Sequence, residues 1–419
     1  MKRTWGIFLL GGLFFAHAAH AAGTAAAYVW QRQPGPEVSA AMAQFAPQLQ
    51  EICVLAAEIS WTTRGSTTVR VPLDFTALAK LGCPVGLAVR IGSSARAPSS
   101  EDAEWSHIAA VVTDVVASAR AQGLKPAELQ VDFDCAESKL AGYRNWLQNL
   151  RKSVAGTKVV FTALPAWLKR EEFIPLAHAA DGFVLQVHSL EKPARADQIP
   201  VLCDPVRARA WIHEAEKAGV DFRVALPTHG YVLGFDPAGD YLGLGAEGPA
   251  PDWPLGTQVR TVRSDPVAMG TLMRKILAAP TPHLRGIIWF RLPVRGDRLA
   301  WNAVTFAAVL RGGIPHTHLT VAVAWVEPGV AEVSLINDGQ TTELLPAFIQ
   351  LRGVTSEKMQ AGDGLGGFRL EMRGSEVQAI SRATGVVTDA MIAPGRRKKI
   401  AWLRFAHDLP LEALVVPSP

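Results

Sequence analysis

Eight short strand-like runs alternate with helical patterns along most of this chain, and that alternation constrains its fold more than any other feature. Strands separated by helices form parallel sheets, because a parallel pair needs a long crossover connection. Eight such units over roughly 290 residues predict a closed (β/α)8 barrel of the TIM type, in the α/β class. The runs begin near Ala25, Ile52, Val85, Leu129, Lys158, Gly182, Phe222 and Gly286.

The second of these units is the weakest, because residues 72–80 show no pattern of a long helix. An open, doubly wound sheet is therefore the alternative fold. Other helix starts are well marked. Asp204-Pro205 and Asp265-Pro266 each place a capping acid before a proline, which suits the first helical position.

The chain beyond Leu310 has a different character. Helical periodicity ends there, a linker follows, and short alternating strands with turn signals begin at Leu319. This pattern predicts a small β-sandwich-like domain at the C-terminus. We therefore expect a signal peptide over residues 1–22, the barrel over 23–315 and the β-sandwich-like domain over 316–419.

The N-terminus has the features of a secretory signal peptide. Lys2 and Arg3 precede an apolar run that ends at Phe15, and small residues at Ala19 and Ala21 suit a cleavage site. The apolar run is too short to span a membrane, and a buried N-terminal helix is the alternative. We predict a periplasmic or secreted protein with no stable membrane insertion once the signal is removed.

Composition excludes two classes of protein. Hydrophobic residues make up 49% and charged residues 19%, which allows a large core and argues against a disordered chain. The formal net charge is only +4, and no basic stripe stands out, so nucleic acid is not an expected partner. The sequence makes no prediction of the oligomeric state.

Four cysteines permit three disulfide pairings, and an exported protein could form them. Cys53 and Cys83 fall at the start of neighbouring predicted strands, which makes a bridge between them feasible. Cys135 and Cys203 both follow strands at the opposite end of the barrel and form a second feasible pair. None of the four has the CxxC spacing of a zinc site.

The most informative single stretch is ELQVDFDCAE, residues 128–137. On a strand, Asp132 and Asp134 share one face, while Val131 and Phe133 share the other. Two carboxylates are costly to bury, so their face is expected to open into a wet cleft. A strand that ends in acids and leads into an amphipathic helix is typical of a βα-barrel active site.

Strand alternation predicts further polar side chains that point inward at the same end of the barrel, where a packed interior would be apolar. The first strand presents either Trp30 with Arg32, or Gln31. Polar ends on most strands favour a ligand site over a purely structural barrel, and no metal or cofactor is predicted. The predicted inward residues are Glu58, Ser60, Arg90, Asp132, Asp134, Thr162, Gln186, His188, His229, Trp289 and Arg291.

Each of these residues also has a structural interpretation. Glu58 and Arg90 could form a buried ion pair between adjacent strands, and His188 and His229 could be satisfied core histidines. Trp289 could fill the barrel core, or its flat face could stack on a sugar ring.

The connection after the seventh strand, residues 230–264, is long and rich in Gly, Pro and Asp, with Tyr231, Tyr241 and Trp253 interspersed. We predict an irregular lid or wall that presents at least one of these aromatics to a ligand. The alternative is a brace that packs against the C-terminal domain.

The motifs LQVDFDCAESKLAGYRNWLQNLR, FTALPAWL, LQVHSL, VALPTHGY and GIIWFRLP resemble a bacterial family called domain of unknown function 3142. The resemblance extends from Tyr28 to about Leu310. More distantly, the barrel and its DxD are similar to chitinase-like glycoside hydrolases, which carry DxxDxDxE at this strand with the glutamate as acid. Here Leu129 replaces the first aspartate, Ala136 occupies the glutamate position, and Glu137 follows one residue late.

These observations favour an exported carbohydrate-active enzyme of glycoside hydrolase type, which acts on a glycan or another small polar ligand. Asp134 is the predicted acid, and Glu58 or Asp132 the second carboxylate. Two alternatives remain: a non-catalytic glycan- or envelope-binding protein that has lost its acid, and a metal-dependent hydrolase. The predicted substrate-binding residues are Arg90, Gln186, His188, His229, Tyr231, Trp289 and Arg291.

Overall fold

The computed structural model describes residues 25–62, 65–94, 96–198, 200–249, 251–355, 357–373, 376–381 and 390–415. Eight parallel strands close into a barrel in chain order, because the last strand pairs with the first. This confirms the predicted fold class and all eight predicted strands. They are β1 (Ala25–Val29), β2 (Glu51–Thr62), β3 (Val85–Ile91), β4 (Glu128–Phe133), β5 (Lys158–Ala163), β6 (Gly182–Gln186), β7 (Phe222–Pro227) and β8 (Leu284–Phe290).

A helix follows each strand, so the barrel is surrounded by an outer helical layer. The helix after β2 is only four residues long, as the sequence of residues 72–80 predicted. Three short 3-10 turns also occur, at Ala46–Gln48, Glu137–Lys139 and Pro165–Trp167. The helices are α1 (Pro36–Phe45), α2 (Phe75–Leu78), α3 (Ala103–Ala121), α4 (Leu140–Ser153), α5 (Phe173–His178), α6 (Pro205–Glu216), α7 (Pro266–Ala278) and α8 (Ala303–Leu310).

Side-chain caps fix the starts of several helices. The Asp204 and Asp265 carboxylates accept backbone N–H groups in the first turns of α6 and α7, which confirms the predicted capping acids. Asp102 does the same for α3. Such caps satisfy N–H groups that lack a partner within the helix.

Two hydrophobic layers flank the barrel strands. The larger lies between strands and helices, and the smaller fills the barrel lumen, where most of the side chains are small. Because successive side chains of a strand point to opposite faces, the alternation decides which side chains at the end of each strand point into the lumen. The lumen layer contains Ala26, Tyr28, Cys53, Ala88, Val160, Val184, Ala225 and Ile288, with Trp30 and Phe290 packed against it.

The sequence predicted an irregular connection between β7 and α7, and this prediction is wrong. The connection forms a three-stranded antiparallel sheet that we call the cap sheet. Its strands are Gly230–Phe235, Tyr241–Gly245 and Gln258–Arg263, with the first in the middle. Trp253 lies so close to Gly234 that an added Cβ there would be 2.6 Å from its ring. The glycines of the cap sheet therefore make room for the Trp253 side chain against the sheet, and they do not prevent strands from forming. Another strand that the sequence did not predict, Gly65–Arg70, forms a hairpin with the end of β2.

Two four-stranded antiparallel sheets follow the barrel and share one hydrophobic core, as predicted for the C-terminal part. Thr305 on α8 donates a hydrogen bond to the carbonyl of Gln340 and so links barrel and sheets. The first sheet contains Leu319–Glu327, Val330–Asn337, Arg397–Phe405 and Met359–Gly364, and the second contains Phe368–Arg373, Glu376–Ser381, Phe348–Arg352 and Glu412–Val415. A short ladder joins Glu343–Leu344 to Met391–Ile392.

All four cysteines are free thiols, so the feasible bridges are not formed. Cys53 points into the lumen, whereas Cys83 packs against the outer layer, and side chains on opposite faces of a sheet cannot be bridged. The predicted signal peptide, residues 1–22, lies outside the described residues. None of the helices described here is both long and apolar enough to cross a membrane.

Candidate functional site

A cavity of about 320 Å³ opens at the carboxyl ends of the barrel strands. Its volume is at the lower end of the range for small-molecule sites, about 300–1,000 Å³. We call this cavity the cup. It is lined by Tyr28, Trp30, Arg90, Asp132, Asp134, Thr162, Gln186, His188, Ser189, Leu190, Leu202, Ala225, His229, Tyr231, Leu244 and Phe290.

The two aspartates at the end of β4 lie together in the cup, but in different environments. Asp132 is partly buried, and its Oδ1 accepts a hydrogen bond of 2.8 Å from the hydroxyl of Thr162 on β5. Burial, and next the nearby Asp134 carboxylate, raise the pKa of Asp132 to about 6. Asp134 is exposed to solvent. The carboxyl with the raised pKa is therefore Asp132, whereas the sequence assigned the acid role to Asp134.

Arg90 lies between Glu58 and Asp132, because β3 pairs with β2 on one side and β4 on the other. Glu58 is not in the lining of the cup but beside it. Both its carboxylate oxygens accept from the guanidinium of Arg32, at 2.5 and 2.8 Å. That pair of hydrogen bonds lowers the pKa of Glu58. An irregularity in the pairing of β2 near Ala56 shifts the alternation there.

The histidines of the cup are uncharged at neutral pH. His229 on the segment after β7 bonds the Phe290 carbonyl through Nδ1 at 3.0 Å, and burial lowers its pKa to about 4. Burial, and next His229, hold the pKa of His188 well below its usual value. Their rings meet edge to face at 5.5 Å. Because the Nδ1–H of His229 donates to the Phe290 carbonyl, the Nε2 of the neutral His229 ring can accept a hydrogen bond from a ligand. A neutral imidazole such as His188 has one donor and one acceptor nitrogen.

The aromatic wall of the cup consists of Tyr28, Trp30 and Phe290, whose rings meet at 5.2–5.8 Å. The prediction that Trp289 lines the cup and stacks on a ligand is wrong. It is fully buried in the outer layer, with its ring 5.4 Å from Trp301 and 6.1 Å from Phe306. Every residue of the run GIIWF is apolar, so its pattern did not mark which face points inward.

Arg291 was also predicted to face the cup, but it is not in the cup lining. Its guanidinium forms a shielded ion pair of 2.6 Å with Asp297. The strand ends at Phe290, so alternation no longer sets the direction of the next side chain. The first-strand ambiguity is resolved, because Trp30 lines the cup and Arg32 binds Glu58 beside it.

The cap sheet closes one side of the cup with Tyr231 and Leu244. The Tyr231 ring lies 5.1 Å from the ring of His229. Tyr241 packs instead on Phe235 and faces the ammonium of Lys192 at 5.0 Å. The carboxylate of Glu247 accepts backbone N–H groups of residues 298 and 299, which anchors the sheet beside the end of β8.

Gln186 at the end of β6 also lines the cup, as predicted, with its amide 3.5 Å from the His188 carbonyl. Sequence reasoning missed Phe290, Tyr28 and Leu244. Tyr28 was detectable, because it shares the inward face with Trp30 two residues later. Leu244 was not, because its position depends on the fold of the cap sheet.

The position of the chitinase-type acid is vacant. Ala136 is exposed just beyond β4, and Glu137 turns outward to pair with Arg170 on the outer side of the barrel. Nor do the described residues contain a group of three or more His, Cys, Asp or Glu side chains arranged to hold a metal ion. The carboxyl groups in the lining of the cup are those of Asp132 and Asp134.

Comparison with solved structures gives similar barrels. A chitinase from Chromobacterium violaceum is 16% identical, with a TM-score of 0.46 over 69% of this chain and 98% of that chain. The spore cortex-lytic enzyme of Bacillus cereus is 10% identical, with a TM-score of 0.46 over 69% and 74% of the two chains. A glycoside hydrolase family 18 N-acetylglucosaminidase from Paenibacillus barengoltzii is 12% identical, with a TM-score of 0.43 over 64% and 94%.

Comparison with curated proteins gave no match. The family model described as Domain of unknown function (DUF3142) matches residues 82–295, from the start of the third barrel strand to just beyond the eighth. That segment is half of the chain and holds most of the cup, which confirms the resemblance of the sequence motifs. The chain belongs to the DUF3142 family.

Proposed function

We propose that the cup binds a glycan and hydrolyses a glycosidic bond, with Asp132 as the acid and Asp134 as the second carboxylate. One observation carries this proposal. The cup holds two neighbouring carboxyls in different environments, and burial raises the pKa of the inner one, Asp132, to about 6. Carboxyl pairs whose environments separate their pKa values are the usual acid and base of glycoside hydrolysis.

In this mechanism the protonated Asp132 donates its proton to the glycosidic oxygen as the bond from that oxygen to the anomeric carbon breaks. Asp134 accepts a proton from the water that attacks the anomeric carbon, and so one water is consumed. Trp30 and Phe290 offer apolar ring faces for the C–H face of a sugar, and His188, His229 and Gln186 offer hydrogen bonds to its hydroxyls.

The experiment compares Asp132→Asn with the wild type on a panel of β-linked oligosaccharides, by release of reducing ends. We expect the variant to lose a factor of about 100 or more in kcat, with unchanged thermal unfolding. Asp114→Asn is the matched control, since Asp114 is an exposed aspartate on α3 that pairs only with Arg70 among the described residues. Full activity in Asp132→Asn would contradict the assignment of the acid.

The pH profile adds a second test. If Asp132 acts as an acid, kcat should fall as the pH rises through about 6. The Thr162 hydroxyl holds the pKa of Asp132 down, so Thr162→Val should move that decline to higher pH. A decline that does not move would indicate that another group titrates.

The second candidate is a non-catalytic glycan-binding protein. The exposed Ala136 and the outward-turned Glu137 favour it, because they leave the usual acid position of chitinase-like barrels without a carboxyl. Binding of an oligosaccharide by the wild type without product over a day would support this candidate. Export of the protein remains a prediction from its N-terminal sequence.

A further inference from the structure

We propose that Arg90 recognises a carboxylate on the ligand, so that the cup selects acidic glycans over neutral ones. This inference rests on the proposed glycan-binding function of the cup and adds to it a substrate class. It is derived from the surroundings of one guanidinium.

Arg90 extends from β3 into the cup and is exposed to solvent there. A guanidinium carries five N–H donors and no acceptor, so it normally pairs with carboxylates or carbonyls nearby. Within the described part of the chain, however, no hydrogen bond and no ion pair within 4.0 Å engages Arg90. The ion pairs near the end of the barrel join Arg32 to Glu58 and Arg291 to Asp297 instead.

The carboxylates beside Arg90 are already occupied. Glu58 directs both oxygens to the guanidinium of Arg32. Asp132 accepts from Thr162, and its raised pKa means that its charge is incomplete at mildly acidic pH. Asp134 is exposed, and among the ion pairs within 4.0 Å of the described residues none joins it to Arg90. Arg90 is therefore the charged donor that remains available to a ligand.

The position of Arg90 also fits recognition. Burial raises the pKa values of Tyr231 on the cap sheet and of Asp132 on β4, and the charge of Arg90 opposes both increases, so Arg90 is close to both sides of the cup. The two histidines of the cup are neutral and supply no competing positive charge. A planar guanidinium binds a carboxylate through two parallel hydrogen bonds, which hydroxyl groups of neutral sugars cannot match.

The competing explanation is that Arg90 only balances the negative charge of the neighbouring carboxylates. The two explanations differ in what Arg90→Lys does. Lysine keeps the charge but loses the planar pair of donors, so charge balance survives this substitution whereas carboxylate recognition is weakened.

The test is calorimetric titration with two tetrasaccharides of the same β-1,4 backbone. One is the neutral tetramer of N-acetylglucosamine, and the other alternates N-acetylglucosamine with N-acetylmuramic acid, which adds carboxylates. We expect the wild type to bind the acidic tetramer tighter by about tenfold or more. Arg90→Gln should abolish that preference, and Arg90→Lys should lose most of it. Arg70→Gln, on the hairpin strand outside the cup, is the matched control and should keep it.

Each result decides the matter. Equal binding of both tetramers by the wild type, or a preference that survives Arg90→Gln, overturns the inference and leaves the proposed function intact. A preference kept in full by Arg90→Lys also overturns it, in favour of charge balance. If neither tetramer binds, while a wider oligosaccharide panel also shows neither binding nor cleavage, the proposed function fails and the inference fails with it.

Discussion

The barrel interior contains two charged layers, each of which combines arginine with one acidic residue from β2 and one from β4. The lower layer, near the start of the strands, consists of Glu51, Glu128 and Arg223. The upper layer is the rim of the cup, where β2 contributes Glu58 and β4 contributes Asp132. The lower layer is shielded from solvent inside the barrel, whereas the upper layer borders the cavity of the cup.

In the lower layer every side chain is shielded and bonds a neighbour, and only Oε1 of Glu51 lacks a hydrogen-bond partner among the described atoms of this layer. The Arg223 side chain is 12% exposed and bonds Glu51 at 3.1 Å through Nη1 and Glu128 through Nη2. Gln130 donates to Glu128 and accepts from the hydroxyl of Tyr28, whose ring lines the cup. An added Cβ on Gly86 would lie 2.3 Å from Glu51 Oε1, so a glycine at this position provides the space for the layer.

The two layers show that charge alone does not identify a ligand site inside a barrel. Both layers combine arginine with carboxyl groups, but within the described residues the upper layer leaves the Arg90 guanidinium without an acceptor, beside an open cavity. A buried arginine with two carboxylates is a structural unit whose parts are costly to separate. We therefore expect substitutions in the lower layer to change stability and substitutions in the cup to change binding.

The largest expected effect is that of Arg223→Met. It leaves the Glu128 carboxylate buried without a counter-charge, which typically costs about 3–5 kcal/mol of unfolding free energy. Arg90→Met in the cup should change stability by less than about 1 kcal/mol. Urea denaturation of both variants measures the contrast. The double variant Glu128→Gln/Arg223→Met should recover part of the loss, since no unpaired charge remains. Equal losses from Arg223→Met and Arg90→Met would remove the distinction between the layers.

A smaller effect is expected in the pH dependence of stability. Burial, and next the Glu128 carboxylate, raise the pKa of Glu51 to about 8. The folded state therefore holds a proton that the unfolded chain releases near its ordinary pKa of about 4.5. The contribution of Glu51 to stability is thus complete below that value and is lost as the pH rises through about 8.

Replacing Glu51 by Gln should remove this slope, so that the unfolding free energies of variant and wild type diverge between pH 5 and 8, with the variant declining less. Denaturation curves across that range measure it. Glu171→Gln, at an exposed glutamate on the outside of the barrel, is the control and should follow the wild type. Parallel curves for Glu51→Gln and the wild type would show that Glu51 is charged in the folded protein.

Both the barrel and most of the cup lining could be predicted from the sequence. The eight strands and their order were predictable, because each is a short apolar run followed by a helix signal. Eight predicted residues line the cup, most of them because polar side chains at strand ends mark the inward face. They are Arg90, Asp132, Asp134, Thr162, Gln186, His188, His229 and Tyr231.

The failures have physical causes. The inward direction predicted for Trp289 is wrong, because the residues of its strand are apolar on both faces and no alternation distinguishes them. The cap sheet was read as irregular, since its glycines admit Trp253 against a sheet, which is a tertiary contact rather than a local preference. The lower layer joins residues on β2, β4 and β7 that are up to 172 positions apart in sequence, so no local pattern could connect them.

The smallest expected change in stability is that of Arg32→Gln in the upper layer. The Arg32 side chain is 68% exposed, and exposed ion pairs are worth about 0.2–1 kcal/mol. The substitution nevertheless frees both oxygens of Glu58, which lies opposite Arg90 on the neighbouring strand. A freed carboxylate can then accept from Arg90 and compete with an acidic ligand.

We therefore expect Arg32→Gln to unfold within about 1 kcal/mol of the wild type, but to bind the carboxylated tetrasaccharide more weakly. Arg96→Gln is the matched control, since Arg96 is an exposed arginine paired with Asp102, and its loss releases no carboxylate next to Arg90. Urea denaturation and calorimetric titration give the two quantities. A loss of stability comparable with that of Arg223→Met would mean that the upper layer is closed by its own ion pairs in the same way as the lower one.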